Sequence, residues 1–337
     1  MKKTICAALA AAICASAALC AVGCGETSSD GYTVFAPDGA PALSLCNAIA
    51  NEPSFDYRVI GASTVQQKVT GRDPEADFCV LPLNLASKLL GSGDTYCMLG
   101  TVTNGNLYFL TTGENPALTA ENFKSALAGK KVGCVQLAKV PGLTLQVVLQ
   151  SYGVPYGIVG NAGGDESEGK VGLLAVYAAD VTPVFGCDYY LCPEPAASAK
   201  IKGTANLPKP FRMAGDLQEL YGGGNGYPQA VLVVKNEILR QDPSSVEKLL
   251  SAFEGSAEYL AAAQPSELLE LLQDKRTAEL APAFNANTLT REVVANCSVR
   301  FTPAKDCKEQ VNAFLGKLIG VNPNAASAVT DAFYYVG

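Results

Sequence analysis

The sequence predicts an α/β chain of two lobes, each a mainly parallel sheet flanked by helices. Three strand–turn–helix units follow one another within about sixty residues of the mature start. A fresh strand and helix then restart the pattern beyond Gly113, and a strong strand at 229–234 (QAVLVV) leads back into helices. Strands alternating with helices argue for parallel sheets, whose ligands sit beyond the carboxyl ends of the strands. With 337 residues, 48% hydrophobic and 17% charged, the chain can bury the core that two lobes require.

The first unit runs YTVFA (32–36), a PDGA turn (37–40) and a helix expected over 41–50, with Pro41 at its first position and Leu43, Cys46 and Ile49 on one face. Its unpaired N–H groups suit an anionic or acceptor-rich ligand, although the same joint also occurs with none. YRVI (57–60) forms the second strand, with Ser63 as a helix cap. ADFCVL (76–81) forms the third, with Asn84 capping a helix over 85–90. A strand follows at 107–112, then a short helix capped by Thr119. The second lobe opens on VGCV (132–135), the loop 136–142 and a helix over 143–152 with Leu145, Val148, Leu149 and Tyr152 as its buried stripe. It continues through a strand at 156–159, a glycine-rich acidic loop at 161–169, a strand at 188–191 and CPEPA at 192–196, with residues 211–226 as a glycine-bearing return. Asp242 with Pro243, and Thr302 with Pro303, cap two helices whose apolar stripes (Val246, Leu249, Phe253; Cys307, Val311, Phe314) have the helical period of a core face.

Residues 1–23 read as a secretory leader: Lys2 and Lys3, then an apolar stretch ending AVG before Cys24. Residues 24–29 read as a tether. The chain carries 25 basic and 32 acidic residues, formal net charge −7, and nothing basic clusters into a phosphate-tracking stripe, which argues against nucleic acid. There is no histidine, so Ser-His-Asp and Cys-His nucleophile pairs are excluded, and without CxxC no zinc site is expected. Of the cysteines beyond Cys24, Cys46, Cys79 and Cys134 read as small buried hydrophobes, whereas Cys187/Cys192 and Cys297/Cys307 are close enough in sequence to bridge.

These residues together resemble a known family. AVGC at 21–24 is similar to a bacterial lipobox, which implies lipid on Cys24 and attachment to the membrane through that anchor. APDGAPAL (36–43), LAGKKVG (127–133), PEPAA (193–197), GYPQAVLVV (226–234), Asn322-Pro323 and FYY (333–335) resemble, in order, the solute-binding proteins of ABC-type importers, in the branch for nitrate, sulfonates, taurine and thiamine-pyrimidine precursors. The resemblance implies a type II periplasmic-binding-protein fold: residues 30–112 plus 229–337 as one lobe, 113–228 as the other, two crossing strands as the hinge, and a monomer that delivers a small solute to permease subunits. It implies ligand contacts at Asp38, Gly39, Ala40, Ser63, Thr64, Asn84, Thr103, Asn104, Val140, Pro141, Gly142 and Glu194, with no cofactor and no catalysis. For Ser63 and Asn84 helix capping is an equal reading, Glu194 reads equally as a hinge carboxylate, and Lys139 reads as solvated. An enzyme on the same fold and a surface scaffold with a vestigial cleft are the competing classes. The family's glycine-rich stretch before FYY is replaced here by AASAVT (325–330), so any role of that stretch is open.

Overall fold

A computed structural model describes residues 31–160 and 169–337. The leader, Cys24, the tether and most of the acidic loop expected at 161–169 lie outside the described residues. Among the described residues twelve strands build two sheets, and four of them, 96–103, 171–176, 212–216 and 299–303, are not among the strands expected from the sequence. The first holds β1 (Thr33–Pro37), β2 (Asp56–Ile60), β3 (Phe78–Pro82), β4 (Tyr96–Thr103), β11 (Ala230–Lys235) and β12 (Val299–Pro303), in the order β12-β4-β11-β3-β1-β2. The second holds β5 (Leu107–Thr111), β6 (Lys131–Val135), β7 (Tyr156–Val159), β8 (Val171–Val176), β9 (Tyr189–Pro193) and β10 (Arg212–Asp216), in the order β10-β5-β9-β6-β8-β7. The chain therefore passes between sheets at 104–106 and returns across 217–229.

Register fixes which end of each strand meets the other lobe. β1, β2 and β3 are parallel, and Pro82 at the end of β3 pairs with Ala230, which pairs with Thr103 at the first crossing. In the second sheet Leu107 pairs with Pro193 at the end of β9, and β6, β7 and β8 run parallel to β9. Both sheets thus turn the carboxyl ends of their parallel strands toward the crossings, the arrangement in which such sheets bind ligands.

The helices, in chain order, are α1 (Ala40–Leu43), α2 (Cys46–Asn51), α3 (Val65–Val69), α4 (Leu83–Leu90), α5 (Phe123–Leu127), α6 (Val140–Ser151), α7 (Ala196–Thr204), α8 (Leu217–Gly222), α9 (Asn236–Gln241), α10 (Pro243–Glu254), α11 (Ser256–Ala262), α12 (Pro265–Gln273), α13 (Arg291–Asn296) and α14 (Ala304–Val321). Parallel strands covered on both faces carry continuous apolar runs, and β3 and β11 (FCVLP, AVLVVK) do so. One apolar cluster runs without a break through both sheets, from Phe35 and Leu81 to Phe109 and Leu191, with α14 packed on α6 between them. A second cluster fills the opposite face of the first sheet under α1, α2 and α10, and a third the opposite face of the second sheet. Residues Tyr32–Gly337 form one compact unit. Among the described residues no helix is long and apolar enough to cross a membrane.

Several local expectations change. The helix expected over 41–50 breaks into α1 and α2, because the Ser44 hydroxyl donates to Pro41 O (2.6 Å) and diverts a carbonyl that the helix would use. Asn84 does not cap α4, which begins one residue earlier at Leu83, and Thr64 rather than Ser63 precedes α3. Thr119 stands before a turn, and α5 starts only at Phe123 after Asn122. Pro303, not Thr302, is the residue before α14. Asp242 caps α10 as read, accepting from Ser245 N at 3.2 Å.

The eight described cysteines are all free thiols, which corrects both candidate bridges. Cys297 and Cys307 lie in different clusters, on opposite faces of the first sheet. Cys187 and Cys192 are separated by an extended run ending in β9, about 15 Å of chain against the roughly 7 Å limit for a disulfide. Burial pushes the thiols of Cys46, Cys97 and Cys192 up to about 12. In a chain beginning at Gly25, a thiol reagent at neutral pH is expected to label only half-buried Cys187 rapidly, and all eight after unfolding without reductant. Fewer than eight in the unfolded chain would establish a disulfide.

Candidate functional site

The loops that follow β1, β2, β3, β6 and β9 all lie at the interlobe end, and they carry most of the residues the sequence nominates. The structure draws three of these into one network at the crossings. Thr103 ends β4, Asn104 follows it, and Glu194 follows β9; all three are buried, and Glu194 is 3% exposed. Asn106 joins them: its N–H-bearing amide donates to Glu194 O (3.2 Å), its own carbonyl accepts from Glu194 N (2.9 Å), and its Oδ1 accepts from Gln229 Nε2 (2.9 Å). The two crossings are bonded directly, Tyr227 N to Asn104 O and Gln229 N to Thr103 O.

The Glu194 carboxylate accepts from Ser198 N (3.0 Å) and Ser198 Oγ (2.7 Å) in its own lobe, and from Asn296 Nδ2 (3.1 Å) in the first lobe. The Tyr108 hydroxyl donates to Asn296 O at 2.9 Å. Asn296 therefore latches one lobe to the other through a partly buried hydrogen bond to a carboxylate. Asn296→Ala should leave Glu194 with one donor fewer, lower stability by about 1–3 kcal/mol, and raise the ligand-free radius of gyration measured by small-angle scattering. Unchanged scattering and unchanged stability would show that the latch carries nothing.

Thr103 Oγ1 and Gln229 Oε1 are buried at this junction without a hydrogen-bond partner. A buried polar atom left unsatisfied is costly, so such atoms mark where a ligand or a trapped water belongs. In the second lobe, Val140 and Pro141 form the first turn of α6, a twelve-residue helix whose positive end suits an anionic or acceptor group. The preceding loop holds Gln136 at φ 63°, a left-handed conformation rare for a residue with a side chain. Gly142 is packed, since a Cβ there would lie 2.0 Å from Leu137 O.

The other nominated positions are engaged elsewhere. The Asp38 side chain is 8% exposed and accepts from Arg276 Nη2 (3.3 Å) and Ala283 N (2.7 Å), which ties the loop after α12 down onto the end of β1. That loop also pairs with β2 through Val59 and Arg276. Gly39 N donates to the same carboxylate, and Ala40 is buried in α1. Thr64 Oγ1 bonds back to Gly61 O, and Ser63 is exposed beside it. Asn84 Nδ2 donates to Ala325 O (3.1 Å), so the AASAVT stretch is strapped along α4, with Ser327 N donating to Ser87 Oγ. Arg276, Asn106, Gln229 and Asn296 are polar residues of the interlobe end that the sequence did not single out. The first and last take partners 238 and 102 residues away, so no local signal could have found them.

Two sheets, two crossings and carboxyl strand ends facing the junction define a two-lobed α/β fold of the type II periplasmic-binding-protein kind. Solved structures agree on that fold. An ABC transporter from Parabacteroides distasonis superposes with TM-score 0.66 at 16% identity, over 90% of this chain and 98% of its own. The periplasmic aliphatic sulphonate binding protein SsuA from Escherichia coli gives 0.59 at 14% identity, over 91% and 94%. The zinc-bound ligand-binding component of an ABC-type import system from Staphylococcus aureus gives 0.55 at 10% identity, over 91% and 96%. No protein-family model matches the chain, and no curated protein matches its sequence.

Proposed function

We propose that the protein is the extracytoplasmic solute-binding component of an ABC-type importer, not an enzyme, held to the membrane by lipid on Cys24. It captures a small organic solute between its lobes as a monomer and presents the closed form to the permease subunits. The single observation that carries this reading is the register: the loops after β1, β2 and β3, and those after β6 and β9, converge on one interlobe end beside two hydrogen-bonded crossings. The fold shared with importer components supports it.

Thr103, with Gln229 beside it, supplies the unsatisfied buried side-chain groups, and Val140 and Pro141 supply the start of α6 from the other lobe. The Thr103 hydroxyl and the N–H of Val140 can donate to a sulfonate-, nitrate- or taurine-like anion or to the acceptor edge of a pyrimidine precursor, and Gln229 Oε1 can accept from an amine or ring N–H of the same solute. Asp38, Gly39, Ala40, Ser63, Thr64, Asn84, Asn104, Gly142 and Glu194 frame the cleft around them. A ligand that touches both lobes favours the closed form only by its difference in affinity for the two forms. Mass spectrometry of small molecules released from the purified, denatured protein identifies the solute. Adding it back should raise the melting temperature and shrink the radius of gyration, and the solute should be recovered unchanged. A chemically converted solute, or tight binding without compaction, would sink the proposal.

A further inference from the structure

A second cavity opens on the other flank of the hinge. In the first sheet β12 lies beyond β4, on the side away from β3, β1 and β2; in the second, β10 lies beyond β5, on the side away from β9, β6 and β8. Between these outer strands sits a cavity of about 300 Å³. Asp216, Gln218 and Glu219 line it from the second lobe, and Ala257, Ser298 and Arg300 from the first. None of the loops after β1–β3 or after β6 contributes; Asn104 and Gly226 of the two crossings line its inner wall, so it shares the hinge with the interlobe cleft but opens on the opposite flank.

Its charges are uncompensated. Asp216 accepts from Glu219 N (3.0 Å) as the cap of α8, and Arg300 Nη2 donates to the Asn225 carbonyl (3.2 Å), yet among the described residues neither carboxylate nor the guanidinium belongs to an ion pair. Burial, helped by the charge of Glu219, raises the Asp216 carboxyl above its ordinary value, the mark of an anion that a guest cation would relieve. Gln218 is 5% exposed, and its Nε2 has no hydrogen-bond partner. Ser298, at the lip, is one of two non-glycine residues with positive φ (49°) among the described residues. A buried unsatisfied amide beside two acids and one base is a recognition surface for opposite charges on one small molecule.

We propose that this outer-hinge cavity is a second binding site, for a small zwitterion whose ammonium group meets Asp216 and Glu219 and whose carboxylate meets Arg300. Its walls belong to different lobes, so occupancy ties to the lobe angle, and a guest here and a solute in the cleft alter each other's affinity by the same factor. The site stands whatever the cleft captures.

Isothermal titration of the chain from Gly25 onward with L-serine, ethanolamine and acetate tests it. L-serine is expected to bind with a Kd of about 1 mM or tighter, and the two single-charge probes at least about tenfold more weakly. Asp216→Asn, which keeps a capping side chain, and Arg300→Ala should each weaken L-serine about tenfold. Glu219→Gln and Arg300→Ala alter exposed side chains and so keep the test valid should Asp216→Asn fail to fold. L-serine binding that is indifferent to these substitutions, L-serine binding no tighter than ethanolamine or acetate, or no L-serine binding overturns the site. Neither outcome bears on the cleft, whose solute is read by compaction.

Discussion

Gly142→Ala is expected to lower the unfolding free energy by about 3 kcal/mol or more in urea titrations. Its ideal Cβ would lie 2.0 Å from Leu137 O and 2.4 Å from Leu137 C and Cα, all backbone atoms. No side-chain rotation relieves that contact. Either the loop over 136–139 backs away or the first turn of α6 unwinds, and Leu137, itself 5% exposed, leaves the core. The consequence would reach the proposed site because the same turn begins α6. Gly316→Ala supplies the opposite sign within one experiment. That glycine is exposed inside α14 with open space at its Cβ, so alanine should stabilise by about 0.5–1 kcal/mol. Equal stabilities for Gly142→Ala and the parent protein would mean that the loop does not press on the helix.

The residues that reveal the fold in the sequence are those whose structure is decided locally. FCVLP, AVLVVK and KVGCV are apolar runs of strand length, and all three are interior strands. The βα restart after Gly113 continues the second sheet, which the chain has already entered with β5, and the strong run at 229–234 is the returning strand of the first. What was hidden depends on partners. RMAGD and VRFTP contain charged and small residues and become strands only because β5 and β4 offer them a free edge. VGLLAV of β8 has strand character, but it follows an acidic loop that draws the eye past it.

The candidate site divides in the same way. A glycine or proline after a strand announces a loop at the carboxyl end of a sheet, so the positions are visible. Their employment is not. Asp38 looks like a ligand carboxylate until Arg276 arrives from far along the chain, and Asn84 like a cap until Ala325 takes its amide. Glu194 has the bonding of a hinge carboxylate, because Asn296 donates to it across the junction.

Gly226→Ala is expected to be strongly destabilising, for two reasons. Gly226 has φ 61°, and its ideal Cβ would lie 2.1 Å from Asn104 O. The left-handed conformation costs an alanine about 1–2 kcal/mol. The contact adds overpacking of about 1–3 kcal/mol, and it falls on the carbonyl that accepts from Tyr227 N, so relief forces the two crossings apart. Gly113 isolates the first contribution: its φ is 65°, yet nothing lies within 4 Å of its Cβ. The stability difference between Gly113→Ala and Gly226→Ala therefore measures the contact together with the extra strain of ψ −146° at Gly226. If the bonded crossings are what hold the lobes at one angle, Gly226→Ala protein that still folds will scatter as a wider particle before any solute is added, whereas Gly113→Ala will scatter like the parent. Parental scattering and stability from both variants would mean that the lobe angle is set instead by α14 against α6, and the hinge would have to be sought there.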